Sequence, residues 1–317
     1  MKKKVALMTR HHATLICEEA RNMLTEAGFE IVSNDTGRIL SREEQKALIR
    51  DAYAIIAGTE KYDREMLEGC ENLKVVTRFG VGTDNFDLQA MREMGMQVGV
   101  IANYNAVAEF ALTLILSVMK NLPRYDQTVR EGKWSRFTMR ELNGKTVGLV
   151  GFGRIGRRLA ELLAGFGVTI LAYDPYMNEA AAQERKVEAV GMEELLARAD
   201  VVSLHLPSTK ETHHLINAET IGKMKDGAYL INTSRGALVD EQALYDALIS
   251  GKLSGASLDV FEKEPVTREN PLFGLDNTVL APHVSALTYE TNYNGGLICA
   301  ESIIRVANGE KPVYPLW

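Results

Sequence analysis

The sequence predicts an α/β protein of two domains, each a parallel sheet with helices on both faces. Three observations carry that expectation. The chain has 317 residues, about twice the length of a common domain. Short Val- and Ile-rich runs alternate with helical patterns through the first hundred residues, as successive β-α units do. A glycine-rich turn at 151–156 lies between an apolar strand pattern and a helical one, which is how a second doubly wound unit begins.

In chain order, Val5–Met8 reads as a strand, Thr14–Ala27 as a helix closed by Gly28, and Phe29–Val32 as a strand. A charged helix follows at about Arg42–Asp51, then strands at Ala54–Ala57, Leu73–Thr77 and Val98–Ile101, separated by Gly and Asp turns. At Asn105 the pattern changes. Ala106–Asn121 is a long apolar helix halted by Pro123, and Arg124–Arg140 is a polar, basic arm. Lys145–Val150 opens a new strand-turn-helix. Further strands are expected at Val168–Tyr173, Val201–Leu206, Tyr229–Asn232, Ala256–Val260 and Thr278–Ala281, with helices between them. The last helix, about Tyr289–Asn308, ends at Gly309 and is followed by Pro312 and Pro315.

Composition narrows the function classes. With 46% hydrophobic and 25% charged residues the chain is an ordinary globular sequence. Its net charge of −6 gives no support to nucleic-acid or anionic-membrane binding. Cys17, Cys70 and Cys299 are widely spaced and form no metal-ligand pattern, which fits a reducing compartment. The basic start Met1–Lys4 is followed by too short an apolar run for a signal peptide. The longest apolar run, Phe110–Met119, is too short to span a bilayer. A cytoplasmic protein is expected. His11-His12 and His213-His214 are adjacent pairs without the spacing of a helical zinc site, so no metal is expected.

The turn Gly151-Phe152-Gly153-Arg154-Ile155-Gly156 matches a dinucleotide fingerprint. Gly151 permits the tight turn, Gly153 lets backbone approach a pyrophosphate, and Gly156 allows close helix–strand packing. The exposed N–H groups from Arg154 and Ile155 onward, at the positive helix end, suit the phosphates. A second strand ends in Asp174, 18 residues after Gly156. An acidic residue there accepts ribose hydroxyls and repels a 2′-phosphate, which favours NAD over NADP. The plainer alternative is a turn that binds nothing, with Asp174 as a strand-end cap.

Three later segments place Arg235, Glu264 and His283 just beyond strands. In an open parallel sheet the carboxyl ends of strands line the ligand crevice, so all three would face the cofactor edge. Singly, each could be a surface or packing residue. Together, behind a dinucleotide fingerprint, they have a common chemical use.

The chain resembles the NAD-dependent D-isomer-specific 2-hydroxyacid dehydrogenases, in the branch similar to phosphoglycerate dehydrogenase. The resemblance is carried in order by Arg78-Phe-Gly-Val-Gly82-Thr-Asp-Asn85, Asn105-Ala-Val-Ala-Glu109, the glycine turn, His205-Leu-Pro207, Asn232-Thr-Ser-Arg-Gly236, Leu258-Asp-Val-Phe-Glu-Lys-Glu-Pro265 and Pro282-His283. It implies a Rossmann NAD-binding domain, residues 105–288, inserted into a flavodoxin-like substrate domain, residues 1–104 and 289–317. A hinge is expected near Asn103–Asn105 and Pro282–Thr288. The resemblance further implies that His283 is the general acid in reduction and base in oxidation. Glu264 would hydrogen-bond its far ring nitrogen and favour the charged ring. Arg235 would fork onto the substrate carboxylate, with backbone N–H groups of Val81 and Gly82 completing that site. Asp259 would hold the nicotinamide carboxamide, and Thr233 and Pro207 would line the cofactor site.

One departure stands out. Ser285 replaces the small glycine usual two residues after the histidine, which would crowd the nicotinamide face slightly. A glutamine before the histidine would suggest the formate branch, and Glu264 speaks against that branch. On substrate the sequence leaves alternatives open. Arg78 resembles a phosphate-side arginine and Arg136 a position reaching across the dimer, the plainer alternative for both being a solvated surface charge, while Ala57–Lys61 lacks an arginine found in some phosphoglycerate enzymes. Lys61 is a possible substitute. Phosphoglycerate, hydroxypyruvate, glyoxylate and other short acids stay open. The end at Trp317 suggests no appended regulatory domain. Ala106–Arg140 is expected to form a homodimer interface, with Trp134 either an anchor or a core residue. The competing readings are a phosphite or formate dehydrogenase, and an NAD-sensing interaction protein on the same fold.

Overall fold

Five parallel strands form the first sheet: β1 (Lys4–Leu7), β2 (Glu30–Ser33), β3 (Ala52–Ala57), β4 (Val75–Arg78) and β5 (Gln97–Val100), in the order β2-β1-β3-β4-β5. This is the flavodoxin-like order, whose winding reverses between β1 and β3. The computed structural model describes residues 2–8, 16–38, 40–101 and 104–317. The start of the expected helix at Thr14, the pair His11-His12 and Asn103 of the expected hinge lie outside the described residues.

Contacts divide the chain into two units, Met1–Asn103 with Leu287–Trp317, and Tyr104–Ala286. In the first, the C-terminal helix Tyr289–Ala307 returns to the sheet and buries Cys299, Ala300 and Ile303. It packs against the helix Glu18–Glu26, where a Cβ at position 296 would make an ordinary contact of 3.5 Å with Ala20.

The second unit has seven parallel strands: β6 (Thr146–Val150), β7 (Thr169–Tyr173), β8 (Glu188–Ala189), β9 (Val201–Leu204), β10 (Ala228–Asn232), β11 (Leu253–Leu258) and β12 (Thr278–Leu280). Their order is β12-β11-β10-β9-β6-β7-β8, with the reversal between β6 and β9. Every residue of β9 and β10 is buried, as helices on both faces require of central parallel strands. The apolar helix Tyr104–Met119 buries Val107, Ala108, Ala111, Leu114, Ile115 and Val118, a stripe at helical spacing that faces its own sheet.

Three details differ from the expected elements. Pro123 does more than halt a helix. It sits in the first turn of another, Leu122–Arg130, where its missing N–H costs nothing. The rest of the basic arm is tied down by Arg124 stacked 3.8 Å over Phe137. The strand β8 and the helices Arg64–Leu67 and Leu88–Glu93 are too short to leave a periodic signal. Among the described residues no single helix is long and apolar enough to cross a membrane. The bent pair Tyr104–Met119 and Leu122–Arg130 passes on length and composition alone, and the buried stripe of the first accounts for it.

Candidate active site

The glycine turn joins β6 to the helix Arg154–Leu163. Gly151 has φ 105°, and a Cβ there would lie 2.6 Å from the backbone carbon of His205. A Cβ on Gly156 would lie 2.3 Å from the carbonyl oxygen of Gly151. Both are packing requirements. Gly153 differs: a Cβ there would meet nothing within 4 Å. It is the N-cap of the helix that begins at Arg154 and Ile155 and sets no side chain beside that first turn, so this helix start suits an anion.

Asp174 stands at the end of β7. One of its oxygens accepts the Phe152 N–H at 2.7 Å and the other the Tyr176 N–H at 2.8 Å. The carboxylate therefore caps the glycine turn, and each oxygen retains a lone pair for another donor. His205, quoted in the sequence only as part of a motif, lies under the same turn. Its Cδ2 would be 3.9 Å from a Cβ on Gly156, and its Nε2 is 3.0 Å from Ser203 Oγ. Burial pushes the imidazole down to about 4, so it is neutral at ordinary pH.

The buried polar atoms that find no hydrogen-bond partner among the described residues include two at this site, His205 Nδ1 and Thr233 Oγ1. Thr233 follows β10 at the same edge and is 6% exposed. Orphan groups of this kind call for a partner that the chain does not supply. Pro207 is exposed nearby in sequence, its carbonyl accepting from Thr212 Oγ1 at 2.8 Å.

The tertiary structure brings Arg235, Glu264 and His283 to the carboxyl ends of the adjacent strands β10, β11 and β12. His283 Nδ1 is 2.7 Å from Glu264 Oε2. The other oxygen of Glu264 accepts the Phe261 N–H at 3.0 Å. Burial pushes the Glu264 carboxyl up. The bonds from His283 and Phe261 and the charges of His283 and Arg235 outweigh burial and hold it below the usual carboxylate range. Glu264 is thus ionised at neutral pH. Arg235 is half-buried on a turn ordered by Asn232, whose side chain donates to the Arg235 carbonyl at 2.8 Å and accepts from Ser234 N–H at 3.0 Å. Arg235 itself donates to the Ser234 carbonyl at 2.7 Å. A Cβ on Gly236 would lie 1.9 Å from the backbone carbon of Phe261, so this turn presses directly on the loop that carries Glu264.

Asp259 has a task the sequence did not signal. Its side chain is fully buried, and its two oxygens accept the N–H groups of Val284 and Ser285, each at 2.8 Å. His283 N–H donates to its carbonyl at 2.7 Å. Asp259 thereby fixes the segment bearing His283. Ser285 is 5% exposed and is part of this clamp.

In the first unit, Arg78 ends β4 beside the glycine loop. Its guanidinium donates to the carbonyls of Gly82 (2.9 Å), Phe79 (3.2 Å) and Ala57 (3.4 Å). Val81 is exposed at 47%, and among the described residues the N–H groups of Val81 and Gly82 meet no acceptor. Glu60 is close enough for the charge of Arg78 to lower its carboxyl, although burial pushes it up on balance. Lys61 faces Asp63 at 3.5 Å. Trp134 is 79% exposed, which overturns the core alternative for it. Leu122, Val129 and Met139 are exposed on the same arm, as is Arg136. His213 and His214 stack on one another 4.0 Å apart. Among the described residues no group of three His, Cys, Asp or Glu could hold a metal ion.

Residues 112–285 match the model of the NAD-binding domain of D-isomer-specific 2-hydroxyacid dehydrogenases. The chain is 41% identical over 299 residues to a D-3-phosphoglycerate dehydrogenase of Archaeoglobus fulgidus, covering 93% of this chain and 56% of that protein. It is 41% identical over 310 residues to a glyoxylate reductase of Thermofilum pendens, covering 94% and 91%. The solved TT0316 protein of Thermus thermophilus superposes with a TM-score of 0.90 at 33% identity, over 99% of this chain and 100% of that one. The chain spans little more than half the length of the phosphoglycerate relatives it matches.

Proposed function

This chain belongs to the D-isomer-specific 2-hydroxyacid dehydrogenases, and from that premise we propose that it is an NAD-dependent oxidoreductase acting at C2 of a short D-2-hydroxy acid or 2-oxo acid. The observation that carries the reading is the 2.7 Å bond between His283 and ionised Glu264, beside Arg235 at the carboxyl edge of a dinucleotide-binding sheet.

Residues 112–285 fit NAD. The helix start at Arg154 and Ile155 and the open side of Gly153 suit the pyrophosphate. Asp174 keeps lone pairs for the ribose hydroxyls. Thr233, with its orphan hydroxyl, and Pro207 line the nicotinamide end, and Asp259, buried and holding the Val284 and Ser285 N–H groups, shapes the segment beside the carboxamide. When bound, the reduced cofactor would supply the hydride that the substrate's carbonyl carbon takes up. Arg235 binds the substrate carboxylate through a planar fork and draws charge from the adjacent carbonyl. His283, with Nδ1 held by Glu264, gives its proton to the carbonyl oxygen and takes it back in the oxidative direction. In the first unit, the N–H groups of Val81 and Gly82, which meet no acceptor among the described residues, suit a carboxylate.

For the substrate we favour an acid without phosphate, of the glyoxylate or hydroxypyruvate kind. Arg78 directs its donors to three carbonyls and shares its edge with Glu60, while Lys61 turns to Asp63. These groups organise a loop rather than a cationic pocket. The exposed apolar residues of 122–139 suit a homodimer interface with Trp134 as an anchor, and the three unpaired cysteines suit the cytoplasm.

The deciding experiment is NADH oxidation across glyoxylate, hydroxypyruvate, pyruvate, longer 2-oxo acids and 3-phosphohydroxypyruvate, with Arg78→Ala alongside. Turnover of a short unphosphorylated acid supports the reading. Preference for the phosphorylated one, lost in Arg78→Ala, overturns the substrate choice. Oxidation of phosphite or formate in place of hydroxy acids, or tight NADH binding with no turnover of any acid, overturns the activity.

A further inference from the structure

We infer that His214, outside the proposed catalytic trio, is a positioning residue that fastens the loop presenting Glu264 to the turn presenting Arg235. The inference rests on the roles given to those two residues above.

Among the described residues His214 is one of four non-glycine residues with a left-handed backbone, at φ 49°. Its N–H donates to the carbonyl of Ala237 at 2.8 Å, two residues beyond Arg235. Its ring Nε2 bonds the carboxylate of Glu262, two residues before Glu264. The His214 carbonyl is itself held by the side-chain amide of Asn217 at 2.9 Å. One residue therefore grips both active-site segments, by its backbone on one side and by its ring on the other.

The loop needs such a grip. Phe261 is buried, but residues 262–265 are exposed, so little apolar burial holds them. Side chains do it instead. Glu262 N–H donates to Glu241 Oε1 at 2.7 Å, and Asn270 pins the other Glu241 oxygen at 2.7 Å. The titratable groups facing the His214 ring are Glu262, with Glu241 behind it, and His213, stacked 4.0 Å away. With the ring bond gone, Glu262 keeps its backbone anchor and loses its side-chain one. The segment leading to Glu264 is then free to drift, and a displacement of about 1 Å at a reacting group is costly.

The test uses His214→Asn, since Asn tolerates the left-handed backbone but lacks the reach of the ring, and Glu262→Gln, which removes the charge from the other side. In both, kcat for 2-oxo acid reduction should fall about five- to twentyfold while the Kd for NADH stays within about twofold. The alkaline limb of the kcat profile should move to lower pH by at least about half a unit, because a loosened Glu264 supports the His283 cation less. Restoring a long donor in His214→Gln should recover part of both effects. An unmoved limb in both variants overturns the inference. A fall in Tm of more than about 10 °C in Glu262→Gln overturns it too, because the pair would then be structural.

Discussion

His283 stands at φ 56° with its backbone N–H 2.7 Å from the carbonyl of Asp259. A left-handed backbone costs a residue with a Cβ about 1–2 kcal/mol. Here it persists because the Asp259 carboxylate draws in the two N–H groups that follow, those of Val284 and Ser285. The imidazole is aimed by a buried charge at the end of the neighbouring strand, and Glu264 then holds its ring.

Removing the ring should remove the proton. His283→Ala is expected to lower kcat at least about a hundredfold with NADH affinity nearly kept, as measured by steady-state rates and fluorescence titration. An intact rate rejects the acid–base role.

Asp259→Asn replaces one acceptor oxygen by an NH2 group, which must then face a backbone N–H. The loss should be about 1–3 kcal/mol of stability in urea unfolding, the cost of leaving a buried donor unpaired. A fall in kcat should accompany it as His283 loses its aim. Unchanged stability would mean that the clamp contributes nothing.

The glycine turn separates packing from binding. Gly156→Ala sets a Cβ against the Gly151 carbonyl oxygen and should lower Tm markedly. Gly153→Ala meets no neighbour. It should keep the wild-type Tm and weaken NADH binding about tenfold or more, that is by about 1.4 kcal/mol. Equal affinity for NADH in wild type and Gly153→Ala would place the pyrophosphate elsewhere.

Asp174→Ala should raise the kcat/KM ratio of NADPH to NADH at least about tenfold, by removing the charge that repels a 2′-phosphate. It should also lower Tm, since the Phe152 and Tyr176 N–H groups lose their acceptor. Continued complete refusal of NADPH counts against the ribose role.

His205 makes stability depend on pH. Its folded value of about 4 lies below that of a free histidine, about 6.5. As pH falls through the free value, the unfolded chain takes up a proton that the folded chain refuses. Stability present above about pH 6.5 is therefore lost progressively down to about pH 4, by at most about 3 kcal/mol. Unfolding free energies across that window should decline in the wild type and flatten in His205→Gln. A flat wild-type profile shows the ring free to charge in the fold.

Much of this protein is written locally. Strand and helix periods, the run Gly151–Gly156, and charged residues just past apolar strands are short-range patterns. They suffice for two parallel α/β sheets and for naming Arg235, Glu264 and His283, because parallel strands deliver their carboxyl ends to one edge whatever the details. Only the tertiary structure decided what those side chains and their neighbours do. Asp259 reaches residues 25 and 26 positions away, Asp174 caps a turn 22 positions back, and His214 meets Glu262 across 48. A carboxylate has the same local signature whether it holds a ligand or a backbone N–H. Which donor it meets depends on the packing of segments distant in the chain, and no periodicity records that.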